Sequence, residues 1–535
     1  MMSLSPLRRR RASRRLPAVL AGATAGALVL GLAAVPAQAE SGAGAWLGTV
    51  ARTAGDARFE PGPCPRTADP IPDLERAYCG TLTVPEKRSG HTGHKGGRKK
   101  IKLAVAIIPA ANGRPAPDPI VWLAGGPGDD AVSEIPMALA GGLNRDRDVI
   151  FMSQRGTYSA TPELTCPNVD EFVANNLDLV FGAPSTGRLH VAETRKCRDR
   201  LVGLGADLSA YNGTESSADY DGLRKALGIR QWNVFGISYG TDLALQYMRL
   251  HPKGIRSVGI DGVLPPSLAG GAVTWKAARE GFDSIFKTCE DQPACNTRYP
   301  NLKATFERLV VELEARPITT TVTVPGRPAP VKVTLDGGLL VNWLTFASHL
   351  AAGVPRSIDE LAHGNPQRIA EQYAGGKLSP QAIGRVSHGL VFGVFCSEWT
   401  PFESEQDVIR AGRRLFPSFP RSVLANAPLL SWMHADCRAW DIPAAHPSIR
   451  DVTWSDIPTL VLSGGFDSQT APSSGPYAAR TLSRSTEVTV PYVAHVVFAD
   501  SACAQQITVS FFDNPTGPDT GCLAGLQPPA FEIGP

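Results

Sequence analysis

Trp232-Asn233-Val234-Phe235-Gly236-Ile237-Ser238-Tyr239-Gly240 is a short run of β-branched and aromatic residues closed by a Gly-x-Ser-x-Gly pentapeptide. The pattern is that of a strand turning sharply into a helix, with the serine on the strained turn. Glycine two residues to either side follows from crowding, because the backbone packs too closely there for a side chain. From Thr241 to Leu250 the chain is rich in Leu, Ala, Gln, Tyr and Met, which suits a helix. His251-Pro252 stops it, since proline cannot continue the helix. The pentapeptide alone would also fit an ordinary Gly/Ser turn. The strand before it and the helix after it mark a nucleophile elbow, with Ser238 as the expected reactive atom's carrier.

A nucleophilic serine needs a base and an acid that orients the base, and after an elbow they follow in the order serine, acid, histidine. Ile457 to Ser463 is an apolar run with strand character that ends at Gly464-Gly465-Phe466-Asp467. Asp467 thus falls just past the carboxyl end of a strand, where loops of an open α/β sheet carry function. Thr486 to Pro491 alternates like a further strand and runs into Val493-Ala494-His495. Of the ten histidines, His91, His94, His190, His251, His349, His363, His388, His434 and His446 all precede Asp467, and order selects His495 as the base. The rival acids fail on the same test: Asp456 precedes the strand and Asp500 follows the histidine.

The chemistry also needs donors for a developing oxyanion. Pro119 to Leu123 is a buried-strand candidate that ends in Ala124-Gly125-Gly126-Pro127-Gly128. Glycine there lets a backbone N–H come close to the reacting oxygen. The expected donors are the N–H groups of Tyr239, directly after the nucleophile, and Gly126, with Gly125 as the fallback.

With these residues in place the chain resembles the secreted tripeptidyl aminopeptidases of the α/β-hydrolase superfamily, relatives of proline iminopeptidases. The resemblance covers most of the chain beyond its first 39 residues. It rests on Leu123 to Gly128, on Arg147-Asp148-Val149-Ile150 leading to Gln154-Arg155-Gly156-Thr157, and on Asp219 to Gly228. It continues through Gly236 to Thr241, Asp261-Gly262-Val263, Gly464 to Asp467, and His495. Ser153 stands where such proteins usually carry aspartate, Ala471 separates Thr470 from Pro472 where they are usually adjacent, and Ala494 and Val496 flank His495 where glycine is common. None of these departures removes a catalytic atom. The resemblance implies a cap carboxylate that holds a substrate amine. Glu398, in Phe395-Cys396-Ser397-Glu398-Trp399, is the candidate, with Asp436 behind it. A surface or salt-bridged acid is an equally good reading of that segment. Trp399, Trp432 and Trp440 could line an apolar pocket, with packing in the core the simpler expectation.

Composition bounds the rest. The chain has 535 residues, 43% hydrophobic and 19% charged, with a formal net charge of +3. It can bury a large core and hold more than one domain. Arg8 to Arg15 supply six of its positive charges, so the remainder is near neutral or slightly acidic. No interleaved basic and aromatic patch points to nucleic acid. Lys95 to Lys102 reads as a solvated hairpin tip between strand candidates Thr81–Val84 and Lys102–Ile108. Arg8 to Arg15, the apolar stretch Leu16 to Val35 and Ala37-Gln38-Ala39 form the three parts of a signal peptide, cleaved after Ala39, with no membrane insertion afterwards. Ten cysteines suit an exported, oxidised chain. Their spacing suggests sequential pairs, Cys64–Cys79, Cys166–Cys197, Cys289–Cys295, Cys396–Cys437 and Cys503–Cys522, although spacing does not fix connectivity. None has zinc-ligand spacing and no histidine clusters with them, so no metal and no cofactor is expected.

Ser238 and Asp467 lie 229 positions apart in the sequence, far more than one strand–helix unit needs. The expected architecture is therefore an α/β-hydrolase fold with a mostly parallel sheet and a largely helical cap domain inserted before the acid-bearing strand. After the signal peptide at 1–39, residues 40–265 form the first part of the core, 266–441 the cap, and 442–535 the return to the core. Helical periodicity at Leu302 to Leu313 and Gln367 to Tyr373 and a hairpin turn at Pro325 to Pro330 fall within the cap. The function expected is a secreted serine exopeptidase cleaving short peptides or single residues from free N-termini through an acyl-enzyme on Ser238. The alternative is a carboxylesterase acting on small esters with the same three residues. A catalytically silent, hydrolase-like binding protein would lack one of Ser238, Asp467 or His495, and this chain has all three.

Overall fold

Strands β1 (Arg52–Ala54), β2 (Ala57–Pro61), β3 (Tyr78–Pro85) and β4 (Lys100–Ile108) open the chain. They are followed by β5 (Ile120–Leu123), β6 (Val149–Met152), β7 (Trp232–Ile237) and β8 (Ile255–Asp261). A separate pair, β9 (Ile318–Val322) and β10 (Val331–Leu335), precedes β11 (Thr459–Gly464) and β12 (Ser485–Val490). This computed structural model describes residues 52–88, 99–379, 384–426 and 428–534. The expected signal peptide, the stretch up to residue 51 and the loop tip carrying His91 and His94 lie outside them.

Ten strands form one sheet in the order β1-β2-β3-β4-β6-β5-β7-β8-β11-β12. β1 to β4 make an antiparallel meander, and β4 also pairs antiparallel with β6. From β6 onward through β5, β7, β8, β11 and β12 every pairing is parallel. Every residue of β5, β6, β7 and β11 is buried. That explains why their sequences read as continuous apolar runs rather than alternations: a central parallel strand is covered on both faces. On one face Phe235 packs against Trp122, Phe498 and Phe512. On the other, Val234 belongs to a cluster with Tyr220 and Tyr247.

Parallel alignment brings the carboxyl ends of β5, β7, β11 and β12 to the same edge. The loops that leave those ends carry Gly125–Gly126, Ser238, Asp467 and His495 respectively. The α/β-hydrolase architecture read from the sequence is thus the one observed.

Between β8 and β11 the chain is mostly helical. Leu302–Ala315 and Gln367–Leu378 are helices at the two places where periodicity suggested them. The Pro-rich turn joins β9 to β10, paired Val331 to Val322 and Leu335 to Ile318. β11 starts at Thr459 rather than Ile457, because Pro458 has no N–H to give the ladder. The elbow helix runs Tyr239–Leu250, beginning directly after the turn residue. Five disulfides join Cys64 to Cys79, Cys166 to Cys197, Cys289 to Cys295, Cys396 to Cys437 and Cys503 to Cys522, as the spacing suggested.

Candidate active site

Ser238 adopts φ 53° and ψ −124°, a conformation that side-chain-bearing residues rarely take. The sheet and helix hold it there: Ser238 N–H donates to Asp261 O at 2.9 Å, and Ser238 O accepts Thr241 Oγ1 at 2.6 Å. The flanking glycines are obligatory on steric grounds. A Cβ on Gly236 would lie 2.3 Å from Gly240 O, and one on Gly240 would lie 2.2 Å from Leu123 O. Among the described residues Ser238 Oγ has no hydrogen-bond partner, and contacts of this kind commonly tighten only once substrate is bound.

Asp467 and His495 are brought together from loops 28 residues apart. His495 Nδ1 lies 2.8 Å from Asp467 Oδ2. The carboxylate also accepts Gln469 N–H and Thr470 N–H at 2.8 Å each, and Thr470 Oγ1 at 2.7 Å. Burial pushes the Asp467 carboxyl up, but the His495 charge and these donors outweigh it and leave the group below its ordinary value. Burial pulls the His495 imidazole down, and Asp467, with help from Asp261 and Asp129, reverses the balance and leaves it raised. The ring packs over Gly262, whose Cβ, if present, would lie 2.9 Å from His495 Cε1. This places the imidazole next to the residue that holds Ser238 N–H. Asp261 also accepts the N–H groups of Val497 and Phe498 at 3.1 and 2.8 Å, so it anchors the loop that carries His495.

The glycine loop after β5 lies against the elbow. A Cβ on Gly125 would stand 3.1 Å from Ser238 Cβ. Gly126 has φ 100° and is exposed on the cavity wall, and Tyr239 N–H belongs to the first helical turn, which has no internal acceptor. A hydroxyl beside an oriented imidazole, with two such N–H groups near it, can pass its proton to the ring while charge on an attacked carbonyl is met by the backbone.

Ser238, Tyr239, Gly126 and His495 open on one cavity of about 620 Å³. Its walls come from the sheet edge, from the helical stretch between β6 and β7 and from the inserted segment, and are largely apolar, with Phe172 and Phe181 from the stretch before β7 and Phe392 and Phe395 from the inserted segment. Trp399 and Trp432 line it as well, and Trp440 is core. Glu398 does not reach the cavity. It is 2% exposed, accepts Gly213 N–H at 2.7 Å and faces Gln246 Nε2 at 3.3 Å. Burial, reinforced by the charge of Asp242, pushes its carboxyl up to about 8. An inward-facing, largely neutral acid of this kind cannot hold a substrate ammonium, so the assignment made from the resemblance is corrected here. Asp436 does line the cavity, held by His190 Nδ1 at 3.2 Å and Thr194 Oγ1 at 2.7 Å.

Sequence order passed over several cavity groups. Asp170 pairs with His388 at 3.4 Å, and Lys377 stands over the rings of Phe346 and Tyr373. Asp129, from the glycine loop itself, lines the cavity too. Asp129 directly follows the Gly125–Gly128 motif, whereas Asp170, Lys377 and His388 lie in no recognisable motif and only the fold brings them to the wall. Among the described residues no group of three or more His, Cys, Asp or Glu side chains could hold a metal ion, and no helix is long and apolar enough to cross a membrane.

Comparison with known proteins agrees with this geometry. A model for the alpha/beta hydrolase fold matches residues 118–288, and one for TAP-like protein matches 423–523. The Escherichia coli K12 protein YuaR is 26% identical over 257 residues, 45% of this chain and 48% of its own. The tripeptidyl aminopeptidase of Streptomyces coelicolor is 28% identical over 197 residues, 35% of each chain. A protein of the same organism named as a probable proline iminopeptidase is 26% identical over 251 residues, 44% of this chain and 64% of its own. The chain therefore spans less than two thirds of each of these relatives.

Proposed function

We propose that this chain, an enzyme of the α/β-hydrolase fold with aminopeptidase-type homologues, is a secreted serine exopeptidase acting on peptides with free N-termini. The observation that carries the reading is the convergence on one cavity of a strained Ser238, an Asp467-oriented His495 and the two backbone donors. Ser238 Oγ attacks the carbonyl carbon of the scissile amide while His495 takes its proton, and the oxyanion is met by the N–H groups of Gly126 and Tyr239. The C–N bond breaks as His495 returns the proton to the leaving amine, leaving an acyl-enzyme that water hydrolyses by the same route. The inserted segment 266–441 acts as a cap that roofs the cavity. Five disulfides are compatible with the export expected from the leader.

The apolar walls support a second reading, hydrolysis of small uncharged esters by the same residues. Both readings require Ser238. Ser238→Ala is expected to fold normally and to lose on the order of 10⁴-fold or more in turnover, and a fluorophosphonate should label Ser238 alone. Near-wild-type activity in folded Ser238→Ala removes both readings. Rates on free-amine peptide amides, N-acetylated amides and esters decide between them.

A further inference from the structure

We propose that Asp129 binds the α-ammonium group of the substrate's N-terminal residue, and that this contact limits the product to one residue at a time. The inference rests on the exopeptidase reading and adds to it a substrate anchor and a product length.

The acids around the cavity are not alike. Asp130 accepts Ser153 Oγ at 2.6 Å, Glu134 accepts Trp122 Nε1, Asp170 accepts Gly384 N–H at 2.8 Å beside His388, and Asp436 is held by His190 and Thr194. Asp129 is half-buried, lines the cavity, and among the described residues has neither a hydrogen bond nor an ion pair. A desolvated carboxylate with no hydrogen-bond donor is costly, and a cation delivered to it gains correspondingly. Burial and the neighbouring Asp130 push its carboxyl up to about 6, opposed by the charge of His495.

Position sets the product length. The point where a Gly125 Cβ would stand is 3.1 Å from Ser238 Cβ and 3.6 Å from Asp129 Oδ2. Nucleophile and unpaired carboxylate thus flank the same loop residue, beside the oxyanion donor Gly126. In an N-terminal residue the amine nitrogen is two bonds from the carbonyl carbon under attack. With that carbon at Ser238, only a carboxylate close to the nucleophile can meet the ammonium. In a tripeptide leaving as one unit, the ammonium would stand two residues further off, roughly 7 Å along an extended chain. Asp436 and Asp170, on the part of the wall formed outside the glycine loop, would then be the candidates to receive it.

The test compares wild type, Asp129→Asn and Asp436→Asn in the full-length protein. Substrates are an aminoacyl nitroanilide, its N-acetylated form, a free-amine tripeptidyl nitroanilide and an uncharged nitrophenyl ester, with fluorophosphonate labelling of Ser238 as the check on folding. The expected result is a loss of kcat/KM in Asp129→Asn on the aminoacyl substrate that exceeds its loss on the ester by at least about 30-fold, carried mainly by KM. The N-acetylated substrate should be poor for the wild type, and the Asp129 preference should vanish on it. The anchor is overturned if Asp129→Asn loses ester and aminoacyl activity equally. It is overturned as well if the wild type prefers the tripeptidyl substrate and Asp436→Asn alone loses it; in that case the exopeptidase reading stands. Failure of the exopeptidase reading has a different signature: wild-type ester hydrolysis with no turnover of either free-amine amide.

Discussion

A general base acts only while unprotonated, so the state of His495 sets the acid limit of catalysis. Burial lowers its pKa and the carboxylates of Asp467, Asp261 and Asp129 raise it, with the raising side ahead. Activity should therefore fall as pH drops through a value above the ordinary 6.5 of histidine. A pH profile of kcat/KM on a neutral ester measures it, and an acid limb at or below 6.5 contradicts the electrostatic balance. Order along the chain was enough to pair Asp467 with His495, because the elbow fold fixes that order. It could not place Glu398: a residue beside a cystine and a tryptophan can face either side of its helix, and here the carboxylate turns inward to Gly213 and Gln246. Ser153 shows how the resemblance misses a swap. The acid usual at that position is absent, yet Ser153 donates to Asp130 from the glycine loop, so a carboxylate is still supplied, from the other side.

At the scale of elements, the cavity wall depends on how the segment Phe395–Trp399 is held. It is a π-helical turn continuing the helix His388–Val394, a local widening often found at functional sites. The Cys396–Cys437 bridge ties it to the helix Met433–Trp440, which carries Asp436. Closing a 41-residue separation is worth about 4 kcal/mol on the chain-entropy account. The double variant Cys396→Ala/Cys437→Ala should lose stability of about that size in a denaturant titration and raise KM more than it lowers kcat. An unchanged KM would show that the bridge does not shape the wall. Elements were readable where local chemistry is one-sided, as in the hairpin of β3 and β4 and in the elbow. Their limits shifted by about two residues where a proline or the turn serine decides which N–H can join a ladder. The strand order was not readable, since β6 inserts between β4 and β5 through pairings that no local pattern encodes.

At the scale of the molecule, Arg155 joins parts of the chain that are far apart in sequence. Fully buried, it meets both carboxylate oxygens of Asp219 at 2.9 Å and donates to Glu86 O and Ala210 O. Asp219 also binds Arg88 at 2.7 Å, so Asp219→Ala leaves two guanidinium groups to Glu215 and the more exposed Asp56 and should cost about 3–5 kcal/mol. Denaturant unfolding checks this, and a loss below about 1 kcal/mol would show that water or rearrangement has taken up the charge. The sequence singled out both residues through the resemblance but not their pairing, which depends on the helix Gly213–Ala226 crossing the end of β6. The disulfides work in the opposite sense. Their separations are 15, 31, 6, 41 and 19 residues, and no bridge encloses or crosses another. A chain emerging amino-terminus first can oxidise each pair before the next pair's cysteines appear. The arrangement thus favours correct pairing through order of synthesis, with little call on an isomerase to undo mistakes.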